Sequence, residues 1–329
     1  MTALVEAANL VKHYTLGHGL GERLLRQPPR TVRAVEDVSL SVARGETLGL
    51  IGESGCGKST LGRLLLRLHD PNSGSIRFDG REIATLPDAA LRPLRRRMQI
   101  IFQDPYASLN PRRTVREIVA LPLALHETLR GPEAELRVAE MLDRVGLARA
   151  HMGRYPHQFS GGQRQRIGIA RALILRPDFV VCDEPVSALD VSVQAQVLAL
   201  LRELRDEMGL SLLFISHDLA VVAHLAARIA VMYLGRVVEE GARDAILRRA
   251  SHPYTQSLLA SVPRLTGAKT MQRTPTGDLP SPLSPPAGCA FHPRCPAAGP
   301  RCRRELPRRV ALDAAGHMAA CHLHDGGVG

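Results

Sequence analysis

Gly52-Glu53-Ser54-Gly55-Cys56-Gly57-Lys58-Ser59, with Thr60 next, is the stretch on which the fold turns. Two glycines five residues apart, followed by Lys-Ser, fit the G-x-x-x-x-G-K-[ST] spacing of a phosphate-binding loop. The context is the one such a loop requires. An apolar run, Thr47–Ile51, precedes it, and a helical pattern expected over Lys58–Leu68 follows. Glycines let backbone N–H groups face phosphate oxygens without Cβ clashes. The helix N-terminus adds positive potential. Lys58 is placed to reach the β- and γ-phosphates of a nucleotide, and Ser59 to ligate Mg²⁺.

Outward from this loop, strands and helices alternate. Residues 1–14 read as a strand ending at Tyr14, and 15–31 as a Gly/Pro-rich loop. Strand patterns follow at Ala34–Val42, Gly74–Asp79, Met98–Phe102, Phe179–Cys182 and Ser211–Ser216. Residues 114–149 read as helical, and Ser160 is a good N-cap for a helix to about Leu175. Val193, Val197, Leu200, Leu201 and Leu204 have helical spacing over 193–208, and Leu219–Ile229 is expected to be a further helix. This alternation predicts an α/β architecture with a mostly parallel sheet and helices on its faces.

Two further elements carry chemistry. Val180-Val181-Cys182-Asp183-Glu184 is an apolar strand ending in adjacent carboxylates. Asp183 is placed to hold Mg²⁺, and Glu184, one residue on, to polarise an attacking water. Taken alone, the pair is an ordinary acidic strand end. Ser160-Gly161-Gly162-Gln163 opens a helix; alone it is a flexible cap, although its N–H groups suit a second phosphate.

With these in order, the chain resembles the ATP-binding cassette (ABC) ATPases. Phe159-Ser160-Gly161-Gly162-Gln163 stands as a variant of that family's signature just ahead of the Asp-Glu strand. The resemblance implies that Tyr14 stacks on adenine, that Gln103 senses Mg²⁺ and contacts a membrane partner, and that Asp190, in Ser187-Ala188-Leu189-Asp190, communicates across a dimer. His217 matches the switch histidine at the γ-phosphate. The implied fold is a P-loop nucleotide-hydrolase cassette with an N-terminal antiparallel strand region, an inserted helical subdomain over about 104–175 and a small Cys-rich appendage. The implied division is a nucleotide-binding domain over 1–250, a helical and Pro-rich connector over 251–288, and a tail over 289–329.

Three stretches resemble the oligopeptide/dipeptide importer ATPases in particular: Gln103–Pro111, Cys182–Ser192 and Gly288–Pro296, the last reading GCAFHPRCP. The likeness is to the second ATPase of such systems. It implies a head-to-tail pair with a homologous ATPase, two permease subunits and an external substrate-binding protein, at the cytoplasmic face of the inner membrane. Nickel and glutathione importers share this sequence style and stay open as alternatives.

Composition bounds the rest. The 329 residues are 45% hydrophobic, enough for a substantial core, with no apolar run of 18. The start lacks a secretory pattern, so a cytosolic chain is expected. A net charge of +11 admits a cassette ATPase acting on nucleic acid. Aromatics at 3% and no Trp disfavour a base-stacking surface, and no direct nucleic-acid binding is expected. Cys289, Cys295, Cys302 and Cys321 crowd into the tail as C-x₅-C-x₆-C-x₁₈-C. The resemblance to peptide-importer ATPases implies that such a tail can hold a [4Fe-4S] cluster, which four thiolates suit; tetrahedral zinc is the alternative, with His292, His317, His322 and His324 as substitute ligands. A reduced, metal-free tail is the third reading.

Overall fold

Three short strands are apolar along nearly their whole length, which is what a sheet covered by helices on both faces demands. They are β3 (Thr47–Ile51), β7 (Phe179–Asp183) and β8 (Ser211–Ser216), and every residue in them is buried. In the computed structural model, which describes residues 3–17, 30–261 and 280–325, they form the middle of an eight-stranded sheet. Its order is β11-β12-β10-β9-β3-β8-β7-β6, with β6 at Met98–Ile101, β9 at Arg228–Tyr233, β10 at Arg236–Ala242, β11 at Arg309–Ala311 and β12 at Met318–Ala320. The five strands from β9 to β6 pair in parallel, and the other three antiparallel.

A separate antiparallel sheet, β2-β1-β4-β5, is built from β1 (Ala3–Thr15), β2 (Thr31–Ala43), β4 (Ser73–Phe78) and β5 (Arg81–Glu82). Between the two sheets lies one apolar core, which also takes in α1 (Lys58–Leu65) and α2 (Asp88–Arg95). A second core, on the other face of the main sheet, is shared with helices α4 (Val115–His126), α5 (Pro132–Arg144), α6 (Gly161–Leu173), α7 (Val191–Met208) and α8 (Leu219–Leu225), with the short α3 (Pro105–Ser108) lying between β6 and α4 in the chain.

The structure departs from the sequence reading at four places. The first helix stops at Leu65, where the Leu66 N–H closes on Gly62 and Arg67 takes a positive φ of 52°. The helical block 114–149 is broken: α4 ends at His126, Gly131 has φ 71°, and Pro132 starts α5. The helix expected over Leu219–Ile229 ends at Leu225. Ala226 is extended, and Arg228 and Ile229 open β9, where pairing with β3 outweighs the helical pattern. The fourth is the tail. Its hairpin, β11 and β12, extends the main sheet through Glu239↔Ala319 and Glu240↔Met318 instead of hanging beyond it. The connector expected over 251–288 holds α10 (Pro253–Ala260), preceded by α9 (Arg243–Arg249). Most of its Pro-rich part, 262–279, lies outside the described residues.

Candidate functional site

Parallel strands aim their C-terminal ends at one side of a sheet, and ligands of α/β proteins bind there. β3 delivers the phosphate loop to that side, β7 delivers Asp183 and Glu184, and β8 delivers His217. In the loop, Gly57 has φ 107°, and a Cβ there would stand 2.0 Å from the Ala34 carbonyl oxygen. Only glycine fits. Ser54 and Gly55 are exposed and Cys56 is buried, its thiol pushed up by burial. Lys58, 4% exposed, donates to the carbonyls of Gly52 (2.8 Å) and Glu53 (2.9 Å). Its ammonium therefore closes the loop on itself and lies 4.0 Å from Glu184 Oε1.

Ser59 Oγ donates to Asp183 Oδ1 at 2.6 Å, and Arg63 stands 3.8 Å from the other carboxylate oxygen. Burial raises the Asp183 carboxyl above its usual range, against the pull of Ser59 and Arg63. A buried carboxylate beside a hydroxyl is a donor set that suits a hard divalent cation such as Mg²⁺. Glu184 accepts from Gln103 Nε2 at 3.2 Å and stands 3.1 Å from His217 Nδ1, with its backbone at φ 47°. A left-handed glutamate is uncommon and is kept where surrounding structure fixes it. Here its N–H donates to Ile215 O and its carbonyl accepts from Ser187 Oγ. His217 is half exposed, so the Glu184–His217 pair faces the open side.

Tyr14 sits at the end of β1, edge-on to His69 and with the Lys12 ammonium 5.1 Å from its ring. Thr60 is half-buried in the first turn of α1. Ser160 and Gln163 form a reciprocal cap: Gln163 N–H donates to Ser160 Oγ (3.4 Å), and Ser160 N–H to Gln163 Oε1 (3.1 Å). Ser160 is exposed, and its hydrogen bonds stay within its own helix start. Gly162 is required by packing, since a Cβ would meet Val193 Cγ1 of α7 at 2.4 Å. Asp190, exposed, precedes α7, and its neighbour Leu189 lies against Gly161. The structure thus joins Lys58, Ser59, Asp183, Glu184, Gln103 and His217. Tyr14, the Ser160–Gln163 turn and Asp190 make no hydrogen bond to that group.

The tail comes close to this site in a way that sequence reasoning missed. Arg294 grips the Glu53 carboxylate with both terminal nitrogens, and the Glu53 N–H donates to Tyr254 Oη at 2.8 Å. The only forewarning was an arginine and an acid in two otherwise glycine- or cysteine-marked motifs. Cys289, Cys295, Cys302 and Cys321 line one cavity of about 10 Å³, room for a single water. Burial raises the thiols of Cys289, to about 11, and of Cys295 and Cys321; the Cys289 N–H donates to Cys302 O. Yet among the described residues no three His, Cys, Asp or Glu side chains are grouped to hold a metal ion. Of the histidines expected as substitutes, His317 is committed to Glu239 (2.8 Å) and His322 to Asp325 (2.7 Å). His292 meets Cys289 O and His324 meets Ser251 O.

A cavity of about 690 Å³ is lined by Arg92, Arg96, Arg97, Arg137 and Arg176. Arg96 and Arg137 pair with Glu127, and Arg97 with Asp79 and Asp178. Among the described residues no helix is long and apolar enough to cross a membrane.

Residues 35–187 match the family described as ABC transporter, and residues 238–302 match the oligopeptide/dipeptide transporter C-terminal region. A probable peptide ABC transporter ATP-binding protein of Sinorhizobium fredii is 51% identical, over 98% of this chain and 90% of its own length. The oligopeptide transport ATP-binding protein AppF of Bacillus subtilis is 49% identical over 98% and 97%, and the dipeptide transport ATP-binding protein DppF of Escherichia coli 47% over 98% and 95%. Among solved structures, a dimeric post-hydrolysis state of the ATP-binding cassette MJ0796 with ADP and Pi is similar at a TM-score of 0.64. It is 30% identical and covers 73% of this chain and 98% of that one.

Proposed function

The chain belongs to the ABC transporter ATPases, in the group with the oligopeptide/dipeptide transporter C-terminal region, and we propose that it is the ATP-hydrolysing subunit of a peptide or dipeptide importer. The observation that carries the reading is the convergence of Lys58, Ser59, Asp183, Glu184, Gln103 and His217 beyond the ends of β3, β6, β7 and β8. Lys58 exchanges the loop carbonyls for phosphate oxygens. Glu184, already oriented by Gln103 and His217, takes the proton of the attacking water, and His217 holds the γ-phosphate side. Ser59, Asp183 and Gln103 would hold Mg²⁺, which when bound spreads the developing charge of the phosphoryl group. Tyr14 packs on the adenine.

Ser160, Gly161, Gly162 and Gln163 complete the site of a second, homologous ATPase set head to tail, with Asp190 at the seam. What supports this is that the exposed Ser160 turn is bonded only to itself. That partner, two permeases and an external binding protein make up the importer, and the chain docks on the permeases at the cytoplasmic face of the membrane. The test is Mg²⁺-dependent ATP hydrolysis by the assembled complex, stimulated by peptide-loaded binding protein. Stimulation by nickel- or glutathione-loaded protein in its place would reassign the cargo.

The four tail cysteines are assigned to one [4Fe-4S] cluster, and one observation supports it. All four thiols, drawn from separated segments, share one cavity. At about 10 Å³ the cavity must widen to admit it. Purification without oxygen, a visible spectrum and iron, sulfide and zinc analysis test the assignment. A brown chromophore with matched iron and sulfide, bleached by Cys295→Ser, is expected. Stoichiometric zinc or no metal overturns it.

A further inference from the structure

Glu53 is the first variable residue of a loop that must receive a polyanion, and a free carboxylate there would repel it. The structure gives it a partner 241 positions away: Arg294 Nη1 donates to Oε2 at 2.8 Å and Nη2 to Oε1 at 2.9 Å. This two-pronged geometry is the strong form of a charge-assisted bond. The arginine side chain is 11% exposed, and its guanidinium is flanked by Tyr233 and Phe291, centroids at 6.0 and 5.9 Å. Tyr233, Tyr254 and Phe291 form a fully buried aromatic cluster, with centroids 4.6 to 5.4 Å apart, in a protein with only eleven Phe and Tyr residues. The Tyr254 hydroxyl accepts from the backbone N–H of the same Glu53. A tail that merely packed on the body would need no arginine at this point; hydrophobic side chains would fill the space without desolvating a charge.

We propose that Arg294 is a positioning residue for the nucleotide site: it orients Glu53 and cancels its charge, and so sets the affinity of the phosphate loop for ATP. The inference rests on reading Gly52–Ser59 as that loop. It makes the tail, whose Cys295 follows Arg294 directly, a working part of the nucleotide site. The hydrogen bonds to the Glu53 carboxylate hold the guanidinium charged, outweighing the opposing effect of burial.

The experiment uses the full chain in the assembled ATPase complex, with KM and kcat for ATP and the dissociation constant of a fluorescent ATP analogue. Arg294→Ala is expected to raise KM and the dissociation constant about tenfold, with kcat within about twofold. Adding Glu53→Gln to that variant removes the unmatched charge and is expected to recover most of the loss. A structural role alone is not rescued in this way. Glu53→Gln by itself is expected to lower KM, which keeps the proposal testable even if Arg294→Ala folds poorly. Unchanged affinity in Arg294→Ala, a loss that Glu53→Gln does not repair, or a raised KM in Glu53→Gln overturns it. Lys58→Ala is run alongside. If that variant binds ATP normally, the reading of the loop itself has failed rather than the role of Arg294.

Discussion

The phosphate loop and the cysteine tail meet at Glu53, but they are held in place by different means. Lys58, Asp183, Glu184 and His217 each lie within a few residues of a fully buried parallel strand, so the ladder of β3, β8 and β7 fixes their backbone. The described tail, 280–325, has two strands of three residues each. Side-chain links do much of the rest, among them the bridges of Arg294 to Glu53, Arg309 to Glu240 and His317 to Glu239 and the packing of Phe291 on Tyr233 and Tyr254. Glu239 and Glu240 are buried in β10, where an unpaired acid is costly. A site on strand ends is insulated from single side-chain losses elsewhere, whereas a segment hung on bridges depends on each of them.

The sharpest test of the strand-end half is Glu184→Gln. It keeps the shape and the neighbours Gln103 and His217 but removes the carboxylate proposed as the base. Hydrolysis by the assembled complex is expected to fall by about a hundredfold or more. ATP binding, read separately by a fluorescent analogue, is expected to persist. Turnover near wild type would remove Glu184 from its role.

The bridged half breaks more cheaply. His317→Ala leaves the buried Glu239 with only the N–H groups of Ser251 and His252 as donors. The loss is expected to be about 2 kcal/mol, the range for a hydrogen bond to a charged group. Denaturant unfolding measures it, and hydrogen exchange at β11 and β12 localises it. ATP affinity is expected to hold, because Arg294 reaches Glu53 from a different part of the tail. If affinity falls in step, the sheet-edge anchor and the loop clamp act as one unit, and the contrast drawn above fails.

Gly162→Ala probes a residue of the signature turn through packing alone. The new methyl meets the β-branched Val193, which has little χ1 freedom in a helix, so α6 and α7 must part slightly. Overpacking costs about 1 to 3 kcal/mol, and the better helix propensity of alanine returns about 1 kcal/mol of it. A net loss of about 1 kcal/mol in unfolding free energy is expected, and a neutral or stabilising result would mean the helices yield freely.

The same difference explains what could be read in the sequence. Gly52–Ser59, Asp183-Glu184 and His217 were legible because each motif lies beside the strand that positions it, and the bounds of β3 and β8 were read to the residue. Ser160 as a cap was equally legible, since a capping box is local. The 219–229 stretch was misread because Ile229 and Val231 are apolar in either conformation, and only pairing with β3 decides. β10, the tail hairpin and the Arg294–Glu53 bridge were not legible at all. β10 pairs with the adjacent β9, but the bridges from Arg309, His317 and Arg294 reach partners 69 to 241 residues away, and nothing in the local pattern around Arg294 or His317 names the partner.

His252 offers the finest probe, because it joins the two halves by a single proton. It is 1% exposed, its Nδ1 accepts from the Tyr254 N–H at the start of α10, and its ring lies 5.9 Å from Phe291. Burial, helped by His324, drives its pKa down from 6.5 to about 3. The unfolded chain therefore binds a proton below pH 6.5 that the folded chain refuses, and stability falls as pH drops through the window from about 6.5 to about 3. Between pH 7 and pH 6 this single group is expected to cost about 0.7 kcal/mol, growing toward about 1.4 kcal/mol per further pH unit. His252→Asn keeps a capping acceptor but cannot titrate, so the difference between its stability–pH curve and that of the natural chain isolates the histidine. Parallel curves would mean that the ring is protonated in the folded state or that water reaches it. A gap that opens on acidification, together with ATP affinity that weakens only in the natural chain, would trace the path from His252 through Tyr254 to the Glu53 N–H.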